Sequence, residues 1–116
     1  YLNGSWYKLT AKIGAYTEDP IGVLDVTILQ NNILDTILGI ADPRTDSRVD
    51  FVGGIRGLQV LADRVDNGQF AAAFSLYAVT IDQLFAIADT GNVMPPKSTW
   101  FEPKLRDGLL THLIYE

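Results

Sequence analysis

Apolar residues recur along this chain with two different periods. Val26, Leu29, Ile33 and Ile37 are spaced by three and four, Leu34 and Leu38 widen the stripe, and Gly39 follows where a left-handed residue ends many helices. That pattern predicts a first helix. Ile55, Leu58, Ala62 and Val65 predict a second before Asn67-Gly68. Thr80 and Gln83 stand at capping-box spacing around Ile81, Leu84, Phe85 and Ala88, with Gly91 as the stop of a third. Between these stripes the period falls towards two. Residues 5–13 carry Trp6, Tyr7, Leu9 and Ile13 among polar positions, Val49-Asp50-Phe51-Val52 is a short β-rich run, and residues 70–77 alternate with little polarity on either face. Leu109, Leu110, Leu113 and Ile114 suit a closing strand, while Pro95, Pro96 and Pro103 exclude an ordinary helix over residues 94–106. Asn3-Gly4 within Tyr1-Leu2-Asn3-Gly4-Ser5 predicts a hairpin turn. The order βαβαβαβ follows. It predicts an α+β fold, a mixed sheet of about four strands with three packing helices, in which any parallel crossover over residues 49–77 is right-handed.

A length of 116 residues suits a single domain spanning residues 1–116. The first residue is Tyr1 rather than Met, which leads to the expectation of a C-terminal domain cut from a longer protein. With 47% hydrophobic and 20% charged residues, the composition is that of a folded domain rather than a disordered segment. No apolar run approaches the ~20 residues needed to span a bilayer, and no basic-then-apolar leader opens the chain, so a cytoplasmic location is expected. Absence of Cys excludes disulfides, thiolate metal sites and a cysteine nucleophile. A net charge of -5 with nine Lys plus Arg gives no general attraction to nucleic acid or to an anionic membrane.

Three of those cations concentrate in residues 94–108. Lys97, Ser98, Thr99, Lys104 and Arg106 are candidates for an anion site, because ammonium and guanidinium groups supply charge while hydroxyls supply directional bonds. The competing reading is a rigid surface loop pinned by Trp100 and Phe101 with its cations solvated. Pro95-Pro96 stand where a P-loop needs glycines, so no P-loop is expected. Gly53, Gly54 and Arg56 form a second anion candidate at a strand-to-helix junction, against the simpler reading of helix initiation and close packing. Asp89-Thr90-Gly91 spells the aspartic-protease triplet, but its position at the end of a helical stripe marks Gly91 as a cap. His112 is the only histidine and stands in an apolar segment, so a structural role is expected and no metal site. Asp42, Asp46 and Asp50 do not match a calcium loop and read as turn formers and solvated charge.

Leu24-Asp25-Val26, Ile37-Leu38-Gly39-Ile40, the run from Arg48 to Gly54 and above all Met94-Pro95-Pro96-Lys97-Ser98-Thr99-Trp100-Phe101-Glu102-Pro103-Lys104-Leu105 resemble the domain of unknown function 1015 family of bacteria and archaea. The resemblance covers nearly the whole chain and corresponds to the C-terminal part of a protein about three times as long or more. It implies an upstream Asp-Gly-His-His-Arg box, similar to one in ParB-like proteins and free-serine kinases, and a link to serine metabolism. That box is not in this sequence, so no catalytic residue carries over; only the segment from Lys97 to Lys104 does, with no role attached.

Two functions are therefore expected. In the first, the domain belongs to a cytosolic protein that binds or processes a phosphorylated metabolite or nucleotide, ATP or ADP with magnesium included. The intact protein would then be phosphoryl-transferring and this chain alone inactive. In the second, it is a structural or interaction domain that braces the N-terminal portion of the same protein or a homo-oligomer, with no site of its own.

Overall fold

The structure, a computed structural model, describes residues 1–99. Within them the three predicted helical stripes all form helices: α1 (Asp25–Leu29), α2 (Gly57–Asp66) and α3 (Ile81–Asp89). The first stripe does not stay α-helical. It passes into a π-helical stretch, Gln30–Asp35, whose end is marked by Thr36 Oγ1 donating to the Asn31 carbonyl at 2.6 Å. Asn32 offers a local cause: its side-chain amide donates to the Ile28 carbonyl at 2.9 Å and to the Ala15 carbonyl at 3.0 Å, competing for the backbone acceptor one turn back. Gly39, at φ +65°, then reverses the chain, and Gln30 Nε2 donates to the Ile40 carbonyl at 2.8 Å. A 3-10 turn, Gly54–Arg56, leads into α2 through Gly57, whose φ of +76° suits a residue without Cβ. Helix α3 has both halves of its capping box. Thr80 Oγ1 accepts from the Gln83 N–H at 3.2 Å, and Gln83 Oε1 accepts from the Thr80 N–H at 2.9 Å.

The expected sheet is not there. Among the described residues the structure contains helices and no β-strand, which overturns the α+β reading with its mixed sheet of about four strands. Residues 5–13, 49–52 and 70–77 are all non-helical, but no ladder joins them. The expected closing strand at Leu109, Leu110, Leu113 and Ile114 lies outside the described residues. The physical reason is that a strand, unlike a helix, takes its hydrogen bonds from a second segment, so β-rich composition alone does not secure it. What survives is a hairpin tip. Leu2 and Ser5 exchange N–H···O bonds of 3.0 and 3.1 Å across Asn3 (φ +49°) and Gly4 (φ +74°), the two-residue turn that Asn-Gly predicts. Tyr1 pairs in turn with Ala73. Its ammonium donates to the Ala73 carbonyl at 2.6 Å, and the Ala73 N–H donates to the Tyr1 carbonyl at 3.0 Å.

Burial is sparse. Leu24, Ile40, Ala62 and Ile87 are the buried hydrophobic residues among those described. The radius of gyration is 17.3 Å, above the ~13 Å of a compact chain of roughly this length. Among the described residues no helix is long and apolar enough to cross a membrane.

Candidate functional site

Residues 95–99 form a turn in which Lys97 adopts a left-handed φ of +63°. Ser98 is half-buried, and its Oγ donates to the Pro95 carbonyl at 2.5 Å, so its proton is engaged within the turn rather than offered outward. Lys97 and Thr99 are exposed. Lys104 and Arg106, the other members of the expected anion site, lie outside the described residues, as do Trp100, Phe101 and His112.

The second candidate builds a groove. Gly53, Ile55 and Arg56 line a depression of about 450 Å³ together with Asp50, Arg64 and Gln69, and Gly54 begins the 3-10 turn beside it. Lys97 is not part of that lining. Arg64 organises the groove: its Nη2 lies 2.7 Å from Asp50 Oδ2, its Nε donates to Gln69 Oε1 at 3.1 Å, and its guanidinium carbon sits 4.9 Å from the centroid of the Phe70 ring. The hydrogen bond from Arg64, then that from the Phe51 N–H, holds the Asp50 carboxyl below its ordinary value, and the charges of Arg64 and Arg56 add to the effect. The arrangement ties the segment before α2 to that helix. An ionised carboxylate at the rim opposes a second anion there, so the geometry serves packing better than phosphate capture.

The other acids are engaged locally. Arg44 pairs with Asp42 at 2.7 Å and Arg48 with Asp46 at 2.6 Å, each two residues away, and these hydrogen bonds lower both carboxyls to about 2. Arg48 also donates to the Leu38 and Gly39 carbonyls at 3.0 and 3.2 Å, closing the turn after the π-helical stretch. Among the described residues no cluster of His, Asp and Glu could hold a metal ion. In the Asp89-Thr90-Gly91 triplet, Asp89 ends α3, Thr90 Oγ1 donates to the Ile87 carbonyl at 2.8 Å and Gly91 has φ +70°. It is a helix terminus. A smaller depression of about 260 Å³ lies between residues 14–17 and the Asn31-Asn32 pair, and Asn32 there is already bonded on both donors.

The most unusual feature is apolar and was not singled out by motif. Tyr7 and Leu9 are each 64% exposed, Tyr77 84% and Phe85 60%, while Ile37, Ile55 and Ile81 are exposed as well. Isolated exposed apolar residues are ordinary, but among the described residues they outnumber the buried core. The signal was present in the sequence as residues 70–79, an uncharged run too apolar for a loop. No family model matches this chain, and neither a curated protein nor a solved structure matches it.

Proposed function

We propose that this chain is a structural interaction domain, one whose fold is completed by packing against another polypeptide: the N-terminal portion of the same protein or a second subunit. The observation that carries the reading is the imbalance, among the described residues, between four buried hydrophobic residues and the exposed aromatic and aliphatic side chains on residues 6–13, on residues 76–77 and on α3. Apolar area is worth roughly 25 cal/mol per Å² when removed from water, so a surface of this kind favours association. The resemblance to the domain of unknown function 1015 family, in which this chain would be the C-terminal part, fits the same reading, as does a cytoplasmic location. Uptake of a phosphorylated metabolite at Lys97 is the weaker reading, since the Ser98 hydroxyl bonds within its own turn and Asp50 faces the other candidate groove.

Calorimetry of the isolated chain tests this. A closed domain of this length unfolds with about 80 kcal/mol near 60 °C, at ~0.7 kcal/mol per residue. The expected result is a monomer with less than about half that enthalpy, or a full enthalpy that appears only with concentration-dependent association. A monomer unfolding cooperatively with the full value refutes the proposal.

A further inference from the structure

We infer that the gap between residues 7–9 and residues 75–77 is a slot for one incoming β-strand, supplied by the N-terminal portion of the same protein, whose C-terminal end joins the Tyr1 nitrogen. The inference rests on the interaction-domain reading and says which backbone groups take up the partner. Among the described residues no sheet forms there; the ladder belongs to the assembly with the incoming strand.

Two hydrogen-bonded pairs set the register. In the hairpin, Leu2 and Ser5 form the bonded pair, so Tyr1 and Trp6 face each other without bonds, and their rings lie 5.0 Å apart. Tyr1 therefore turns its N–H and C=O to the opposite side, where Ala73 takes both. A strand that bonds one neighbour and then the other at alternate residues is a central strand. Prolonging it through the Tyr1 nitrogen keeps both registers. The first residue before Tyr1 falls between Tyr7 and Phe74, the second between Lys8 and Ser75, and the third between Leu9 and Leu76. Residues 6–12 and 72–80 carry no turn or bend that would divert them, and among the described residues the backbone N–H groups of Tyr7, Leu9, Ser75 and Tyr77 make no hydrogen bond.

The side chains of the two flanks agree with that register although they are separated by more than sixty residues of sequence (from Leu9 to Ser75). Residues opposite one another share a face. One face of the slot carries Tyr7 and Leu9 on one side with Phe74 and Leu76 on the other, all apolar; the other carries Lys8 with Ser75, which are polar and exposed. A shift of one residue on either flank would destroy this match. The occupant is thus an antiparallel strand with apolar residues at its first and third positions before Tyr1 and a polar or acidic residue at the second, facing Lys8. A strand joined to the Tyr1 nitrogen would enter this register without a connecting loop, which favours that source over a free peptide or a second copy.

The test joins a designed strand of about eight residues directly to Tyr1 of the full 116-residue chain, with apolar residues at the first, third and fifth positions and Glu at the second. A control carries one extra residue at the junction, which moves the apolar set to the other face. In amide exchange, the matched strand is expected to slow Tyr7, Leu9, Ser75 and Tyr77 by at least about tenfold over the control. Equal protection in both, or none in either, overturns the slot. The same strand as a free peptide in excess provides a second measurement should the fusion aggregate: protection by the matched peptide and not by its shifted counterpart supports the slot, and no difference overturns it. The two proposals fail separately. A low unfolding enthalpy without protected amides removes the slot and leaves the interaction reading, whereas a full enthalpy in the unextended monomer removes both.

Discussion

Helix α3 presents two large side chains of opposite fate, and replacing each by Ala gives sharply different outcomes. Ile87 is 1% exposed and anchors the helix, so Ile87→Ala removes a buried side chain and leaves a void, at about 3 kcal/mol within the 2–5 range of such changes. Phe85, on the same helix, is 60% exposed. Full burial of Phe is worth roughly 2.5 kcal/mol, so about two-fifths burial amounts to ~1 kcal/mol. Alanine's better helix propensity returns about 0.5 of that. The net for Phe85→Ala is ~0.5 kcal/mol. Amide exchange within α3 reads both without assuming that the whole chain unfolds at once. At about 1.4 kcal/mol per tenfold, Ile87→Ala should speed exchange by about 100-fold and Phe85→Ala by about twofold. In the assembled protein Phe85→Ala should become the costlier change if its ring enters the interface. Equal acceleration by the two substitutions in the isolated chain would refute the argument, since Phe85 would then already be buried.

Two further outcomes follow from local geometry. Thr80→Ala removes the capping box of α3 and should cost about 1 kcal/mol, seen as roughly fivefold faster exchange in the first turn, with Thr80→Ser close to the parent. Asp42 and Asp46 titrate at about 2 and Asp50 below its ordinary value, so each stabilises the fold above the unfolded carboxylate pKa of ~4 and loses that contribution as pH falls through its depressed folded value. The Asp42–Arg44 and Asp46–Arg48 pairs close over only two residues, so their contribution depends less on the fold than that of Asp50. Arg64→Gln, which breaks the contact from Asp50 across fourteen positions, should therefore flatten the acid limb of an unfolding profile more than Arg44→Gln.

The helices were legible because their signals are local. Thr80 and Gln83 sit within one turn, and Gly39, Gly68 and Gly91 all take the positive φ expected of stops. The π-helical widening was not legible, since it involves Asn32 reaching Ala15, a contact that no periodicity encodes. Strands failed for the same reason in larger form: residues 70–77 have the composition of a central strand, yet the ladder needs neighbours that the described residues do not supply. In the candidate sites, Asp50 was read as solvated charge, but its partner Arg64 stands on α2 and was invisible to spacing. Gly53, Gly54 and Arg56 do precede or open a helix, but the strand expected before them is absent among the described residues. Their groove became interpretable only once the acid on its rim was seen.

The run from Phe70 to Val79 has a consequence for the life of the chain outside its assembly. It contains no charge, no proline and no glycine, and its aromatic, aliphatic and small residues match the composition of segments that stack into cross-β fibrils. An occupied edge is sealed, and an empty one is a template for copies of itself. On the slot proposal, a strand joined ahead of Tyr1 would already be translated when residue 70 leaves the ribosome. Chain order would then act as a safeguard against fibre formation, with the covering strand made before the surface it covers.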